Sequence, residues 1–131
     1  MGKNIFSPGT RPDKCIKRGD IWYIGLPDDE QQSGCLQHSG RPAIVVSNNS
    51  CNTYSSVIEV VYLTTRKKKH LPTHVFITST SKPSTALCEQ ISSVTIDKLL
   101  RHDGHCTANE MRRIDKALAV SLGIAATTQK Y

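Results

Sequence analysis

A small β-barrel with helical cover, a mainly β fold with α (α+β), is predicted by three features of the sequence. The chain has 131 residues, a length that suits one domain with its own core. Short runs rich in β-branched residues alternate with turn residues over 21–95, which predicts five to seven strands. After residue 107 the apolar residues recur at helical spacing, which predicts a C-terminal helix. Short strands followed by one or two helices are typical of this class.

The first half of the chain predicts three strands. The segment 21–24 (IWYI) favours the first. The second, over 43–46, follows an Arg-Pro pair and is apolar throughout, so we expect it to be buried on both faces. The segment 47–56 is rich in Asn and Ser and is expected to form turns. A third strand is expected over 57–64.

The second half predicts more strands and then helices. A fourth strand is expected over 74–78, and two short strands, 85–88 and 92–95, flank a Glu-Gln pair. The segment 96–101 is expected to be a short helix. A capping box at 107–110 predicts the start of the last helix, which Gly123 ends. Its apolar stripe, which we expect to be core, comprises Met111, Ile114, Ala117, Leu118 and Leu122.

Composition limits the classes of function. Lys and Arg number 17 against 11 Asp and Glu, and the net charge of +6 favours a polyanionic partner. Aromatic residues make up only 5%, which argues against a ligand site built mainly on stacked rings. There is no apolar run of membrane-spanning length and no signal peptide, so we expect a cytoplasmic protein without membrane contact. Nucleotide and metal motifs are absent and no CxxC pair occurs, so we expect neither cofactor nor metal.

The densest positive charge lies in the basic loop 65–70. Residues 66–69 are four consecutive cations with no acid beside them, a run that sits in water or against an anion. A solvated hairpin tip and a contact with a phosphate backbone are the two interpretations. Thr64 precedes this run, and Arg41 stands where a buried strand begins at the barrel rim. An arginine and a hydroxyl at a cationic rim can stabilise a phosphate in transfer, so we predict this function for the pair.

Five blocks of sequence, in matching order and spacing, resemble the MazF/PemK toxin family. The blocks are 17–22 (KRGDIW), 40–48 (GRPAIVVSN), 60–64 (VVYLT), 71–75 (LPTHV) and 89–91 (EQI), and the tail 111–122 also matches. The resemblance implies a toxin domain over 16–124, preceded by a flexible arm, 1–15, and followed by a tail, 125–131. It also implies an SH3-like, MazF/CcdB-like barrel that forms a homodimer.

The resemblance implies a function as well. Members of the family are metal-independent endoribonuclease toxins that cleave single-stranded RNA at specific sequences and are neutralised by a MazE-like antitoxin. The products carry a 2′,3′-cyclic phosphate and a 5′-hydroxyl. Since the RNA 2′-OH is the nucleophile, DNA should not be cut.

The family's catalytic arginine corresponds to Arg41 and its catalytic threonine to Thr64, with Thr65 as the rival in register. The family's first loop often reads Gly-Ser-Glu-Gln, and here the segment 34–37 reads Gly-Cys-Leu-Gln, which indicates a different base preference. With the basic loop, the residues expected to bind RNA are Cys35, Gln37, His38, Ser39, Thr65, Arg66, Lys67, Lys68, Lys69, Glu89 and Gln90.

No general base is obvious in the sequence. His38 is a candidate because a histidine titrates in the useful range, with a groove-lining or exposed loop residue as the alternative. His74 is expected to be structural. The rival function is a non-catalytic SH3-like barrel that binds nucleic acid or a protein target such as DNA gyrase, and the retained Arg41 and Thr64 favour the endoribonuclease.

Overall fold

The computed structural model of the chain describes residues 15–25 and 40–124. The arm up to residue 14 and the tail 125–131 expected from the sequence lie outside this part. The described elements, in chain order, are β1 (Asp20–Ile24), β2 (Arg41–Val45), α1 (Asn49–Tyr54), β3 (Val57–Thr64), β4 (His74–Ile77), β5 (Ser84–Thr95), β6 (Leu99–His105) and α2 (Ala108–Leu122). Six strands and a C-terminal helix confirm the predicted α+β class and strand number.

The strands form one antiparallel sheet in the order β4-β5-β3-β2-β1-β6. In the described part of the chain β4 and β6 are its two edges, so the sheet is open and not a barrel closed by hydrogen bonds. Strand β5 is long enough to pair with β4 through 84–87 and with β3 along most of its length. The register between β3 and β5 shifts between Val61 and Leu63, so the segment 87–90 of β5 forms a bulge.

The hydrophobic core is divided between the two faces of the sheet. Because side chains alternate along a strand, Val61 and Leu63 of β3 join a cluster that includes Ile114 and Ala117 of α2. The second cluster, on the opposite face, contains Ala43, Val45, Val60 and Tyr62 together with residues of β1 and the start of β6. Strand β2 contributes to both clusters, which confirms that it is buried on both faces.

Helix α2 begins and ends as the sequence predicts. The Thr107 hydroxyl accepts the Glu110 N–H at 3.1 Å, and the Glu110 carboxylate accepts the Thr107 N–H at 2.9 Å. Gly123 adopts a left-handed φ of 71°, which favours glycine and ends the helix. The stripe packs on the sheet as far as Leu118, but Leu122 is 58% exposed because the last turn lines a surface groove instead of the core.

Three local predictions were wrong. The segment 47–56 contains α1, because the Asn48 side chain accepts the Cys51 N–H and caps a helix instead of making a turn. The segment 96–101 is a 3₁₀ turn, Ile96–Lys98, followed by β6, whose pairing with the distant β1 overrides the local pattern. The two short strands around the Glu-Gln pair are a single strand, β5, with the bulge inside it.

Candidate active site at the end of strands β2 and β3

Arg41 and Thr64 face each other across neighbouring strands. Ala43 pairs with Tyr62 in the β2–β3 register, so two residues further along Arg41 stands opposite Thr64. Both side chains therefore lie on the face of the sheet that carries Ala43 and Tyr62. Sheet pairing thus brings together the two residues predicted to be catalytic.

Tyr62 supports the guanidinium of Arg41. The Arg41 Cζ atom lies 4.7 Å from the centroid of the Tyr62 ring, and Arg41 Nη2 donates to the Leu63 carbonyl at 3.5 Å. Burial raises the pKa of Tyr62, although the charge on Arg41 opposes the shift, so the ring is a neutral phenol at neutral pH. A guanidinium has five N–H donors, so this support leaves donors for a phosphate.

The Thr64 hydroxyl is oriented by the basic loop that follows it. Its oxygen accepts the backbone N–H of Arg66 at 3.2 Å, which leaves the hydroxyl hydrogen to donate to another group. Thr64 is half-buried and lines a cleft with Arg41, whereas Thr65 is exposed and is not among the described residues that line it. The geometry therefore favours Thr64 over its rival.

The cleft that contains this pair has a volume of about 400 Å³ and is cationic. The described residues lining it are Arg41, Thr64, Arg66, Lys68, Leu87 and Gln90. Three of these side chains are positively charged and none is acidic, so the cleft suits an anion such as a phosphodiester. Gln90 reaches the cleft because it lies in the bulge of β5.

Glu89, the neighbour of Gln90, makes its described contacts with β4 and the residue before it. Its carboxylate accepts from Thr73 Oγ1 at 2.8 Å and lies 3.0 Å from His74 Nε2. Burial opposes the shift, but the hydrogen bonds from His74 and Thr73 lower the pKa of Glu89. His74 Nδ1 lies 2.8 Å from the Lys69 carbonyl, so Glu89 and His74 anchor the end of the basic loop.

The remaining predicted residues divide into two groups. Lys67 and Lys69 are exposed on the basic loop and do not line this cleft. Cys35, Gln37, His38 and Ser39 lie outside the described residues. Sequence reasoning missed Tyr62, although its spacing of two from Thr64 in a strand places the two on one face.

Two further observations concern the described part of the chain. Within 15–25 and 40–124, no group of three His, Cys, Asp or Glu side chains is placed to hold a metal ion. None of the helices described is long and apolar enough to cross a membrane.

Solved mycobacterial structures share this fold. A mycobacterial endoribonuclease is 25% identical and aligns with a TM-score of 0.72 over 86% of this chain and 96% of its own. A mycobacterial endoribonuclease solved in complex with its cognate antitoxin is 26% identical, with a TM-score of 0.71 over 85% of this chain and 98% of its own. The fold is thus that of endoribonuclease toxins.

Sequence comparison identifies the family. Residues 17–122 match the family described as PemK-like, MazF-like toxin of type II toxin–antitoxin system. Endoribonuclease MazF9 of Mycobacterium tuberculosis is 32% identical over 118 residues, which cover 83% of this chain and 98% of the relative. The chain belongs to the PemK-like, MazF-like toxin family, which confirms the assignment made from the sequence and its endoribonuclease class.

Proposed function

We propose that this chain cleaves single-stranded RNA in the cleft between Arg41 and Thr64. One observation carries the proposal: these two side chains lie on neighbouring strands and line one cleft. Two further cations, Arg66 and Lys68, line the same cleft. Endoribonuclease activity is also the activity named for the relatives.

The reaction uses the substrate's own nucleophile. The RNA 2′-oxygen forms a bond to the adjacent phosphorus, the bond from phosphorus to the 5′-oxygen breaks, and the leaving oxygen takes up a proton. The products are a 2′,3′-cyclic phosphate and a 5′-hydroxyl. Arg41 binds the non-bridging oxygens, where negative charge grows in the transition state, and the Thr64 hydroxyl donates to the same phosphate. His38 stays the candidate from the sequence for accepting the 2′-OH proton.

The test is cleavage of a long single-stranded RNA by the purified chain in EDTA. We expect cutting of RNA and no cutting of the same sequence as DNA. Arg41→Ala should lower the rate on the order of 10²-fold or more. Arg101→Ala is a matched control, because Arg101 also lies over a tyrosine ring, at 4.2 Å from Tyr23, and does not line the cleft.

Three results would separate the possible outcomes. Intact RNA with wild-type protein would refute endoribonuclease activity, and bound but uncut RNA would favour the non-catalytic barrel. Normal cutting by a folded Arg41→Ala variant would show that the centre lies elsewhere.

The same proposal includes a cytoplasmic homodimer that a MazE-like antitoxin neutralises. A related mycobacterial endoribonuclease is solved with its cognate antitoxin. The homodimer is supported by an apolar groove of about 450 Å³ beside the end of α2, where Leu118, Leu122 and Ile124 line it together with Ile91. Light scattering of the purified chain, with and without antitoxin, measures both assemblies.

A further inference from the structure

A second groove, which we call the Phe76 groove, lies along the edge strand β4 beside α2. It has a volume of about 520 Å³, and its lining includes Lys68, Lys69, Phe76, Arg113 and Lys116. Four of these side chains are cations, and no acidic residue is among the described residues of the lining. The electrostatic character of the groove therefore favours a polyanion.

Phe76 adds an exposed aromatic ring to the lining of this groove. Its neighbours in β4, Val75 and Ile77, are buried against α2, so strand alternation turns the Phe76 ring to the other face of the sheet, where it is 56% exposed. The groove therefore passes around the edge of β4, from this ring to the cations of α2. Arg113 Nη1 donates to the Phe76 carbonyl at 3.2 Å and so fixes this cation beside the strand. A single exposed apolar side chain needs no explanation, but an exposed ring at the edge of a groove lined by four cations offers both parts of a nucleotide-binding surface.

The Phe76 groove is continuous with the proposed active site. Thr85 of β5 pairs with Thr64 on one side and with Phe76 on the other, so the three side chains form a row across the sheet. At the usual spacing of strands, Phe76 lies about 10 Å from Thr64 along this row. Lys68 lines both the cleft and the groove, which extends the positive charge from one to the other.

We propose that Phe76 stacks on a nucleobase beside the scissile phosphate, while Lys69, Arg113 and Lys116 bind the flanking phosphates. The inference rests on the proposed function, because it concerns the path of the same RNA. An acidic peptide could also neutralise the cations. The row of side chains from Thr64 through Thr85 to Phe76 instead favours the RNA that enters the cleft, because the row leads from the cleft to the ring. The scarcity of aromatic residues is compatible with this site, since one ring is enough to stack one base.

The experiment measures RNA binding without cleavage. The probe is a short fluorescent RNA that contains the mapped cleavage site and a 2′-deoxy sugar at the scissile nucleotide, and its Kd is read by anisotropy. Phe76→Ala should weaken binding about 10-fold, Phe76→Leu should do the same, and Phe76→Trp should restore it, because stacking needs a ring. Tyr54→Ala is the matched control: Tyr54 is 63% exposed on α1 and lines neither cleft nor groove.

An abasic scan distinguishes stacking on a base from a general structural effect of Phe76, because only stacking depends on the presence of one particular base. Single nucleotides flanking the scissile phosphate are replaced by abasic sites, and we expect one position at which Phe76→Ala no longer weakens binding. Equal RNA affinity of wild type and a folded Phe76→Ala variant would overturn the inference. Poly-glutamate serves as a probe for an acidic protein. If the Phe76→Ala variant no longer binds poly-glutamate but still binds RNA as wild type does, the inference is also overturned, and the groove binds an acidic protein.

The two proposals fail in different ways. If wild-type protein cuts no RNA, the proposed function is wrong. If wild type cuts RNA and Phe76→Ala binds and cuts with unchanged constants, only the stacking site is wrong.

Discussion

Arg41 depends on its neighbours for a defined position at the cleft. An arginine has many rotamers, and ordering it at the moment of reaction would add to the barrier. Stacking on the buried Tyr62 ring and the hydrogen bond to the Leu63 carbonyl hold the guanidinium in place beforehand. Thr64 is similarly oriented by the Arg66 amide. The proposed site is therefore preorganised by the strand that carries Thr64 and by the turn that follows it.

Two single substitutions test whether Thr64 or Thr65 provides the functional hydroxyl. Thr64→Val removes the hydroxyl but keeps the side-chain shape, and should lower the cleavage rate on the order of 10²-fold with little change in RNA affinity. Thr65→Val is the control and should cut at nearly the wild-type rate. Single-turnover cleavage of the mapped RNA measures both, and the reverse order of effects would place the functional hydroxyl on Thr65.

The basic loop is the element that links the cleft to the Phe76 groove. It is fixed at its start by the hydrogen bond between Thr64 and Arg66, and at its end by His74, which contacts the Lys69 carbonyl and Glu89. A run of four cations repels itself, and these anchors hold two of them, Arg66 and Lys68, at the cleft, where the proposed RNA would relieve the repulsion. Its position, as well as its charge, is therefore part of the proposed RNA-binding surface.

Two lysines of this loop provide a matched pair of variants. Lys68 lines both the cleft and the groove, whereas Lys67 lines neither. Lys68→Ala should weaken RNA binding and reduce the slope of log affinity against log salt by about 0.7, the value for one phosphate contact on a single strand. Lys67→Ala should change the slope less. Equal slopes for both variants would indicate that the loop acts only through its net charge.

Glu110 connects α2 to the rest of the molecule. Glu110 is only 4% exposed. Its carboxylate accepts hydrogen bonds from the Thr78 N–H at 2.9 Å, the Ser79 hydroxyl at 2.6 Å and the Thr107 N–H at 2.9 Å. The same carboxylate thus caps the helix and holds the end of β4. Burial opposes the shift, but the hydrogen bonds from Ser79, Thr107 and Thr78 lower the pKa of Glu110.

The lowered pKa predicts how stability depends on pH. A carboxyl with a lower pKa in the folded state stabilises the protein above its unfolded pKa, about 4.3, and loses this contribution as the pH falls through the folded value. Glu89 and Asp103, whose pKa values are also lowered, contribute with the same sign. Glu110→Gln should therefore be less stable at neutral pH and lose less stability on acidification.

Urea unfolding at neutral pH and at a series of lower pH values, at constant protein concentration, measures the free energy of unfolding of both proteins, wild type and Glu110→Gln. Asp115→Asn is the control, because Asp115 is half-exposed and its ion pair with Arg18 is at the surface, where such pairs contribute little. A Glu110→Gln variant that loses as much stability on acidification as wild type would show that Glu110 is not the group responsible.

Much of the fold and part of the site can be predicted from local sequence. Helix α2 is predictable because its stripe, its capping box and Gly123 are all local signals. Helix α1 is harder to predict, because the Asn and Ser residues that cap and form it are equally typical of turns. Strand β6 is not predictable locally, because it depends on pairing with the distant β1. Family resemblance assigns Arg41 and Thr64 and leaves Thr65 as a rival in register.

The sequence by itself determined the class of fold, the positive charge and the family, because these depend on composition, periodicity and the order of motifs. Only the tertiary structure decided which side chains meet. The β2–β3 register sets Arg41 against Thr64, the bulge in β5 sends Gln90 towards the cleft while Glu89 contacts His74, and β4 turns the Phe76 ring outwards. The physical reason is that register and bulges are set by pairing between segments that are distant in the chain, whereas periodicity and capping act between neighbours.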